Sequence, residues 1–597
     1  MGLFVWLLAA GVLLSLLCSW APSSAPKPAL AAVWAVDDGE KILRDDTNSP
    51  LKSGPDNSVW DGKQVKLFAA RNEVVAFQLI LQASRGGAKQ MDVRVSDLKG
   101  GESKIRGSHP LPKPNQYLGV GVELFTEHYL HVTTPSYNDP KWGGFNWTAK
   151  ANPKLTGWMP DALIPFSAKP GKGGAPFDIA SDQNQGVWAD VYVPKGIPAG
   201  RYEGTVAVTA GGRPVAKLPL SLEVLNFTLP DENHYHSMIY YSDINVAMRH
   251  GIRDPRELWE MVRKYHQMAH RHRLELVGGG SWEELQALQG TLDGTTFSRA
   301  AGYEGPGEGV GNSLFSVNTY SCTFPDDEAS YREESDRWVT WFAQHAPKVE
   351  YFLYLTDEPE QDRFAWIKER ADWIHHNPGP GKKLPIFVTK WPAPGLAGAV
   401  DIWCSAAIDA KQAPFAEARA RGERVWLYQA YRPGTPGDVL DEYGIAFRIK
   451  PWIAHQHDIP RWFTWESTHW KPNSNEVQRR MNLFEDPIIF TSGKPFTTAN
   501  GDGTFFYPGQ DRLFPEEDRG YPGPMSSVRM KMYRRGEQDV EYMWLAEQAG
   551  HGAEVKALLR ERLPATLWEA GELPSWSNHN ADYERTRREL ADLIVKR

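Results

Sequence analysis

The sequence predicts a multidomain α/β protein with an N-terminal β-sandwich, a central (β/α)8 barrel and a mostly helical C-terminal extension. Three observations support this prediction. Apolar runs between Gly and Pro turns fill the first part of the chain, eight strand-like runs alternate with helical or loop segments in the middle, and helical patterns dominate the end. We place the sandwich at residues 32–230, the barrel at 231–490 and the extension at 491–597, after a leader of residues 1–31.

The leader has the pattern of an export signal. Residues 3–17 are almost wholly apolar but too few for a comfortable membrane span. Ala29 and Ala31 then form an A-x-A pattern that permits cleavage after Ala31. The sequence therefore predicts a secreted protein, or one of the periplasm or cell envelope. No Lys or Arg precedes the apolar run, so an uncleaved anchor is the alternative; after signal removal we expect no integral membrane span.

The sandwich prediction rests on runs of strand-forming residues at 74–81, 187–193 and 204–208. Residues 194–202 are rich in Gly and Pro and are typical of a turn between two strands of a sandwich. A last alternating stretch at 218–227 is stopped by Pro230, which marks a domain boundary. Nothing in this part of the sequence indicates chemistry.

The barrel prediction rests on the number of strand-like runs and their separation. Helical patterns cover residues 255–272, 329–346 and 361–376, between runs of strand-forming residues. A doubly wound open sheet is the alternative, but no glycine-rich phosphate-binding turn follows any strand. The eight runs lie at residues 238–241, 274–277, 314–317, 351–355, 384–388, 400–403, 425–428 and 462–465.

The C-terminal extension begins with a glycine- and aromatic-rich segment at residues 500–509. A long helix is predicted at residues 526–548, followed by two more helices.

The composition excludes some partners and leaves others open. The 597 residues carry 66 Lys and Arg against 74 Asp and Glu, a net charge of −8, which does not favour nucleic acid or an anionic membrane surface. The 24 Trp and 22 Tyr either fill a core or form stacking surfaces for flat apolar ligand faces such as those of sugars.

Cysteine and histidine give no metal or cofactor signal. Cys18 would leave with the leader, and Cys322 and Cys404 either form a disulfide or remain free thiols. His266 and His270 are spaced four apart on a predicted helix, but Gln267 stands where a zinc protease helix has its Glu. We therefore predict no metal and no cofactor.

The strongest chemical signal is a pair of adjacent acids. The apolar run at 351–355 ends in Thr356-Asp357-Glu358-Pro359, and the carboxyl ends of barrel strands are where barrel enzymes carry out chemistry. Neighbouring strand residues point to opposite faces, so a shared site requires a bulge or a twist. Two close carboxylates raise the pKa of one of them and leave a proton donor beside an anion. The alternative is a solvated acidic strand end that caps the next helix.

These motifs together resemble the family 123 glycoside hydrolases. Besides the Asp-Glu-Pro triplet, the resemblance rests on the segments at residues 69–78, 500–503, 507–509, 527–529 and 534–542, and it spans most of the mature chain. The resemblance implies an enzyme of the β-N-acetylgalactosaminidase type that retains anomeric configuration by substrate assistance. Glu358 would then be the acid/base, and Asp357 would orient the 2-acetamido group and stabilise the oxazolinium that it forms.

Two other functions stay open. A retaining glycosidase with direct displacement could use Glu466, at the end of the eighth strand, as its nucleophile, about 5–5.5 Å from Glu358. A non-catalytic carbohydrate-binding envelope protein that kept the barrel is the other alternative. For either, the partner is a glycan. Polar and aromatic residues near strand ends or in the glycine-rich segment are the candidate substrate-binding residues: Tyr241, Asn245, Lys390, Trp391, Tyr428, Trp465, Glu466, Asp502 and Tyr507.

Overall fold

The structure is a computed structural model that describes residues 29–54, 56–109, 115–136, 154–430, 432–470, 481–492 and 497–596. All but the last three residues of the predicted leader lie outside these ranges. The first strand begins at Leu30, so the predicted cleavage site after Ala31 lies near the start of that strand.

Two sheets make up the N-terminal part. One has the strand order β1-β3-β10-β7-β8, and the other has the order β2-β12-β11-β4-β9, with β5 paired to β11 and β6 paired to β5. Neighbouring strands run antiparallel except β2 and β12. The strands are β1 Leu30–Asp37, β2 Val65–Arg71, β3 Glu73–Ala83, β4 Ala88–Val95, β5 Leu98–Gly100, β6 Ser103–Ile105, β7 Val122–Val132, β8 Gly157–Pro165, β9 Phe177–Ile179, β10 Asn184–Val193, β11 Gly200–Ala210 and β12 Arg213–Thr228.

The central strand β3 shows why this part of the sequence is so apolar. Val75, Phe77 and Leu79 join a core that both sheets share, whereas Ala76 faces a second core on the other side of its sheet. A strand that is covered on both faces has no polar alternation. The run at residues 74–81 is therefore continuous rather than alternating.

Eight parallel strands form a nearly closed barrel. The strands pair in the order β14-β13-β20-β19-β18-β17-β16-β15, so the first and last strands of the barrel in chain order, β13 and β20, are neighbours. The barrel is open only between β14 and β15, which do not pair with each other. The pairing of β13 with β20 argues against the open-sheet alternative. The strands are β13 His236–Tyr240, β14 Leu276–Val277, β15 Leu314–Val317, β16 Glu350–Thr356, β17 Ile386–Val388, β18 Ile402–Ala406, β19 Arg424–Tyr428 and β20 Arg461–Thr464.

Side chains of alternate strand residues fill the barrel. In β16, Phe352 and Tyr354 belong to the interior cluster, while Leu353 and Leu355 belong to the cluster outside it. Cys404 is buried in the interior cluster, and both Cys322 and Cys404 are free thiols.

Eleven α-helices are described, and most connect the barrel strands or follow the barrel. Within the described residues, none is long and apolar enough to cross a membrane. The helices are α1 Asp243–His250, α2 Pro255–Arg271, α3 Trp282–Ala287, α4 Gln289–Leu292, α5 Glu328–His345, α6 Phe364–His375, α7 Gln412–Ala420, α8 Ala446–Gln456, α9 Val528–Gln548, α10 Gly552–Arg562 and α11 Asn580–Val595.

The segment between the barrel and α9 contains four short strands. These are β21 Ile488–Ser492, β22 Thr497–Asn500, β23 Tyr507–Pro508 and β24 Pro524–Met525, which form two hairpin pairs. The boundary predicted between residues 490 and 491 falls inside β21.

Helix α9 is buried along most of its length and connects all three parts of the chain. It begins after Ser527, whose hydroxyl accepts a hydrogen bond from the amide of Met530. Its cations bind acids of the N-terminal sheets: Arg534 contacts Asp190 at 2.7 Å. Its acids bind the barrel helices, because Asp539 accepts a hydrogen bond from Arg448 of α8 at 2.6 Å. The residues that follow the barrel are thus part of the common core.

Candidate active site

The two acids lie at the barrel rim, which is formed by the carboxyl ends of the eight strands. Strict alternation would turn Asp357 outward with Leu353 and Leu355. The pairing of β16 with β17 instead shifts register between Tyr354 and Thr356, and Glu358 has a φ of +38° in the left-handed region. Regular strand geometry would point Asp357 and Glu358 to opposite faces, and this irregularity is the departure that lets both serve one site. Both acids are exposed at the rim.

Thr389, the residue after β17, joins the two acids. Its hydroxyl donates to Asp357 Oδ1 at 2.6 Å and accepts from the backbone amide of Glu358 at 2.7 Å. The Tyr354 hydroxyl, inside the barrel, donates to the same Asp357 oxygen at 2.7 Å. Two buried hydroxyls therefore fix the Asp357 carboxylate, and one of them also holds the unusual backbone of Glu358.

Glu358 is held by a different strand. The Tyr428 hydroxyl, at the end of β19, donates to Glu358 Oε1 at 2.5 Å. Partial burial raises the pKa of Glu358, and the carboxylates of Asp357 and Asp409 raise it further. The Tyr428 hydrogen bond and the Lys390 charge oppose that rise in the Glu358 pKa. The pair therefore consists of two carboxyl groups in different settings, of which Glu358 has a raised affinity for a proton.

A cavity of about 690 Å³ opens beside Glu358. Its wall contains Lys390 and Trp391 from the loop after β17, Tyr428 from β19 and Asp409 from the turn after β18. Asp357 is not part of this wall. Trp391 is 40% exposed, which is unusual for a large apolar side chain and leaves its ring open to a ligand.

Two of the predicted substrate-binding residues are buried in the core. Tyr241 has no exposed surface, and its hydroxyl donates to Glu284 at 2.7 Å. Tyr507 has none either, and its hydroxyl donates to Asp161 at 2.6 Å. Neither side chain has surface for a ligand in this structure, so the prediction that they bind substrate is wrong for this structure. The sequence context placed them near strand ends but could not show which way they face.

Two further candidates stabilise the loops around the rim. The Asn245 side chain donates to the Thr468 carbonyl at 2.8 Å, which links α1 to the segment after β20. The Trp465 indole donates to Asp502 at 2.8 Å. Asp502, which lies between Gly501 and Gly503, is buried.

Glu466, the alternative nucleophile, is also buried. One of its oxygens, Oε1, accepts from the backbone amides of Ser467 and Thr468 at 2.9 and 2.8 Å. These bonds fix the turn after β20, and Glu466 is not part of the wall of the cavity beside Glu358.

Sequence reasoning missed three polar residues of the site. Thr389 comes directly after β17, and Asp409 is the last residue of the short turn after β18. A position just past an apolar run is the signal that could have identified them. Tyr354 lies inside a strand and gives no such signal, because only the barrel geometry points its hydroxyl at Asp357. Burial raises the pKa of Asp409, while Lys411 and Lys390 lower it.

The structure offers no metal site in the residues it describes, where no group of three or more His, Cys, Asp or Glu side chains could hold an ion. His270 stacks on Phe297 with ring centroids 3.6 Å apart, and its Nε2 lies 2.9 Å from the Gly307 carbonyl. His266 is buried beside it. Both histidines have packing roles.

A family model matches part of the barrel and most of helix α9. Residues 319–546, which include Asp357, Glu358, Thr389 and Tyr428, match the family model described as "Glycoside hydrolase 123, catalytic domain". The chain carries a family 123 glycoside hydrolase catalytic domain. No curated protein matches the sequence.

Solved structures extend the likeness beyond the family 123 domain. A structure described as a family 123 glycoside hydrolase from Clostridium perfringens, reported for the details of glycolipid glycan hydrolysis, is similar with a TM-score of 0.63 and 11% identity. The likeness covers 94% of this chain and 98% of that one, so the fold is similar over nearly the whole length. A β-glucuronidase from Ruminococcus gnavus is matched over 85% of this chain and 97% of its own, with 9% identity and a TM-score of 0.28.

The C-terminal motifs of the family 123 resemblance have structural roles here. Arg529 forms a bidentate pair with Asp161 and also donates to the carbonyl of Gly501 at 2.6 Å. Arg535 pairs with Glu73 and Glu584, which lie at opposite ends of the chain. These buried cations connect the parts of the molecule and do not face the cavity beside Glu358.

Proposed function

We propose that this glycoside hydrolase cleaves β-glycosides of 2-acetamido sugars of the N-acetylgalactosamine type, with retention of configuration and with the substrate's acetamido oxygen as nucleophile. The observation that carries the proposal is the pair Asp357 and Glu358, two adjacent carboxyl groups fixed by different strands. The family 123 domain supports the reaction class. The similar Clostridium perfringens protein, which is described in terms of glycolipid glycan hydrolysis, supports a glycan substrate.

Glu358 is the acid/base in this proposal. Its raised pKa favours the protonated form, and the residue lines the cavity. The proton passes to the glycosidic oxygen as the bond to the leaving group breaks, and the carboxylate then takes a proton from the attacking water. The hydrogen bond from Tyr428 to Oε1 leaves Oε2 for this transfer.

Asp357 orients the acetamido group. Its Oδ1 already accepts from Tyr354 and Thr389, whereas its Oδ2 accepts no hydrogen bond from the described chain. A carboxylate in this state accepts the acetamido N–H and stabilises the positive charge that develops as the oxazolinium ring closes. No second carboxylate across the sugar is required, because the acetamido oxygen attacks the anomeric carbon.

The cavity supplies surfaces for the sugar. The exposed ring of Trp391 suits the C–H face of a pyranose, and Lys390 and Asp409 provide polar groups for hydroxyls. In this proposal Lys390, Trp391, Tyr428 and Asp409 contact the substrate.

Export is a second part of the proposal. The apolar leader and the A-x-A pattern support a protein that acts outside the cytoplasm.

A panel of aryl glycosides tests the proposed chemistry. We expect release of nitrophenol from the β-N-acetylgalactosaminide, with weaker or no release from the glucosaminide and none from the plain galactoside, which lacks the acetamido nucleophile. A thiazoline analogue of the acetamido sugar should inhibit, because it mimics the oxazolinium. Asp357→Asn should lower kcat/KM by about a hundredfold or more.

Glu466→Gln is the matched control for this panel, since it changes a carboxylate at the end of another barrel strand. Indifference to the thiazoline, combined with loss of turnover in Glu466→Gln and full turnover in Asp357→Asn, would replace the proposal with direct displacement.

A further inference from the structure

The cavity beside Glu358 lies on the leaving-group side of the proposed reaction. Glu358 lines this cavity, whereas Asp357 does not. In the proposed mechanism Glu358 protonates the departing oxygen, and Asp357 holds the acetamido group of the sugar that is attacked. A wall that contains the proton donor but not the residue that holds the acetamido group faces the part of the substrate that leaves. This assignment of the cavity rests on the proposed function.

The shape and surface of the cavity suit a sugar. Its volume of about 690 Å³ is within the range of sites that hold small organic ligands. Trp391, which is 40% exposed, and Phe364 at the start of α6 provide aromatic surface in the wall, and Gln361 provides a side-chain amide. Aromatic rings cover the C–H face of a pyranose, and amides form hydrogen bonds with hydroxyls.

The charge of the cavity wall is negative. Three of its residues, Glu358, Glu360 and Asp409, are acids, and all three are exposed, so a ligand can approach their carboxyl groups. Lys390 is the one cation among the described residues that line the cavity. Lys411 also acts on Asp409, but from outside the wall. Even when Glu358 is protonated, the two other carboxylates of the wall outnumber its single ammonium group.

We propose that this cavity binds the leaving-group side of the glycan and selects an uncharged sugar there, with Glu360 and Asp409 as the residues that determine this specificity. A carboxylate or sulfate on that sugar would lie beside like charges, which disfavours its binding. Glycans in which N-acetylgalactosamine is joined to a uronate or to a sulfated sugar are then poor substrates.

Two fluorogenic β-N-acetylgalactosaminides that differ in the charge of the leaving group test this proposal. Their leaving groups are 7-hydroxycoumarin-4-acetamide and 7-hydroxycoumarin-4-acetate, in which a methylene group separates the charge from the ring, so that both depart with similar ease. With the full-length protein at about pH 7 and about 20 mM salt, we expect kcat/KM to be about tenfold higher for the acetamide. About 0.5 M salt should lower this ratio to about twofold, because salt screens exposed charges.

Variants of the wall test which residues cause the preference. Asp409→Asn and Glu360→Gln should each lower the ratio of the two kcat/KM values about threefold, and the double variant should bring it close to one. Lys390→Gln should raise the ratio. Asp372→Asn is the matched control, because it removes the same charge from an exposed position near the other end of α6, and it should leave the ratio unchanged. A general loss of activity would lower both kcat/KM values and leave their ratio unchanged.

The outcomes separate this proposal from the proposed function. Equal turnover of the two compounds at low salt, a preference for the acetate, or an unchanged ratio in the double variant would overturn the proposed specificity and leave the proposed function intact. Hydrolysis of neither compound by the unmodified protein would overturn the proposed function and this specificity with it.

Discussion

At the scale of single residues, Thr389 connects the two acids of the site through one small side chain. One hydroxyl fixes the Asp357 carboxylate and the Glu358 backbone, and it is 2% exposed. A residue with φ near +40° and a side chain is held in a strained conformation, which persists only where its surroundings determine it. The Thr389 hydrogen bond to the Glu358 amide is one such determinant.

Thr389→Val keeps the shape of the side chain and removes the hydroxyl. We expect kcat for an aryl glycoside to fall about ten- to a hundredfold, because both carboxyl groups lose a fixed partner and small displacements of reacting groups are costly. Thr389→Ser should recover most of the activity. Steady-state kinetics and the pH profile of kcat measure the effect.

The matched control is Thr464→Val in β20, where a buried hydroxyl has no partner to lose. Similar kinetic losses in Thr389→Val and Thr464→Val would show that Thr389 acts only through general packing of the barrel.

At the scale of elements, α9 shows how a charged sequence forms a buried helix. Its hydrophobic pattern is weak, yet most of its residues are buried, because its cations and acids find partners in the two sheets, α8 and α11. Asp190 of β10 is the clearest case: it accepts from Lys531, Arg534 and the Trp188 indole. Removing one member of such a group leaves buried charge without compensation.

Asp190→Asn should destabilise the protein by about 3–5 kcal/mol, because Lys531 and Arg534 lose their counter-charge in a buried position. Urea unfolding followed by tryptophan fluorescence measures the loss. Asp178→Asn, which breaks the exposed pair with Lys89, is the control and should change the free energy of unfolding by less than about 0.5 kcal/mol. A loss in Asp190→Asn as small as that of the control would contradict this account of α9.

The sequence predicted elements correctly where hydrophobicity alone defines them. Apolar runs predicted all eight barrel strands, and the ends of those runs located Asp357 and Glu358. Helix α8 was missed, because Pro451 interrupts its pattern and Arg448 and Lys450 are buried charges.

The direction of side chains at the strand ends was not predictable. Burial of Tyr241, Tyr507 and Asp502 depends on partners that are distant in sequence, namely Glu284, Asp161 and Trp465. The contacts of Thr389 likewise depend on the register between β16 and β17, which local pattern does not define.

At the scale of the whole molecule, buried ionisable groups predict the pH dependence of stability. Burial raises the pKa of Glu127 to about 8 and of Glu284 to about 7. The folded state then binds more protons than the unfolded state, so stability falls as pH rises from the unfolded value of about 4.5 to the folded value. Burial lowers the pKa of His266 to about 3 and of His270 to about 4, so their contribution to stability falls as pH drops below about 6.5.

These opposite trends predict greatest stability between about pH 4.5 and 6.5, with a decline on both sides. Glu127→Gln should flatten the decline between about pH 6.5 and 8, because the amide does not ionise in the unfolded state. Urea midpoints at several pH values measure this. Lys89→Gln, at an exposed site, is the control and should leave the slope of the urea midpoint against pH unchanged. An unaltered slope in Glu127→Gln would show that Glu127 is not the group responsible for the decline.

The central claim is that Glu358 donates the proton to the departing glycosidic oxygen. Glu358→Gln tests it most directly when its kinetics are compared on two β-N-acetylgalactosaminides, one with a 4-methylumbelliferyl and one with a 2,4-dinitrophenyl leaving group. We expect a loss of kcat/KM of about 10²–10⁴ for the first and a much smaller loss for the second, whose leaving group departs without protonation. Equal losses for both substrates, or full activity on the first, would contradict the assignment.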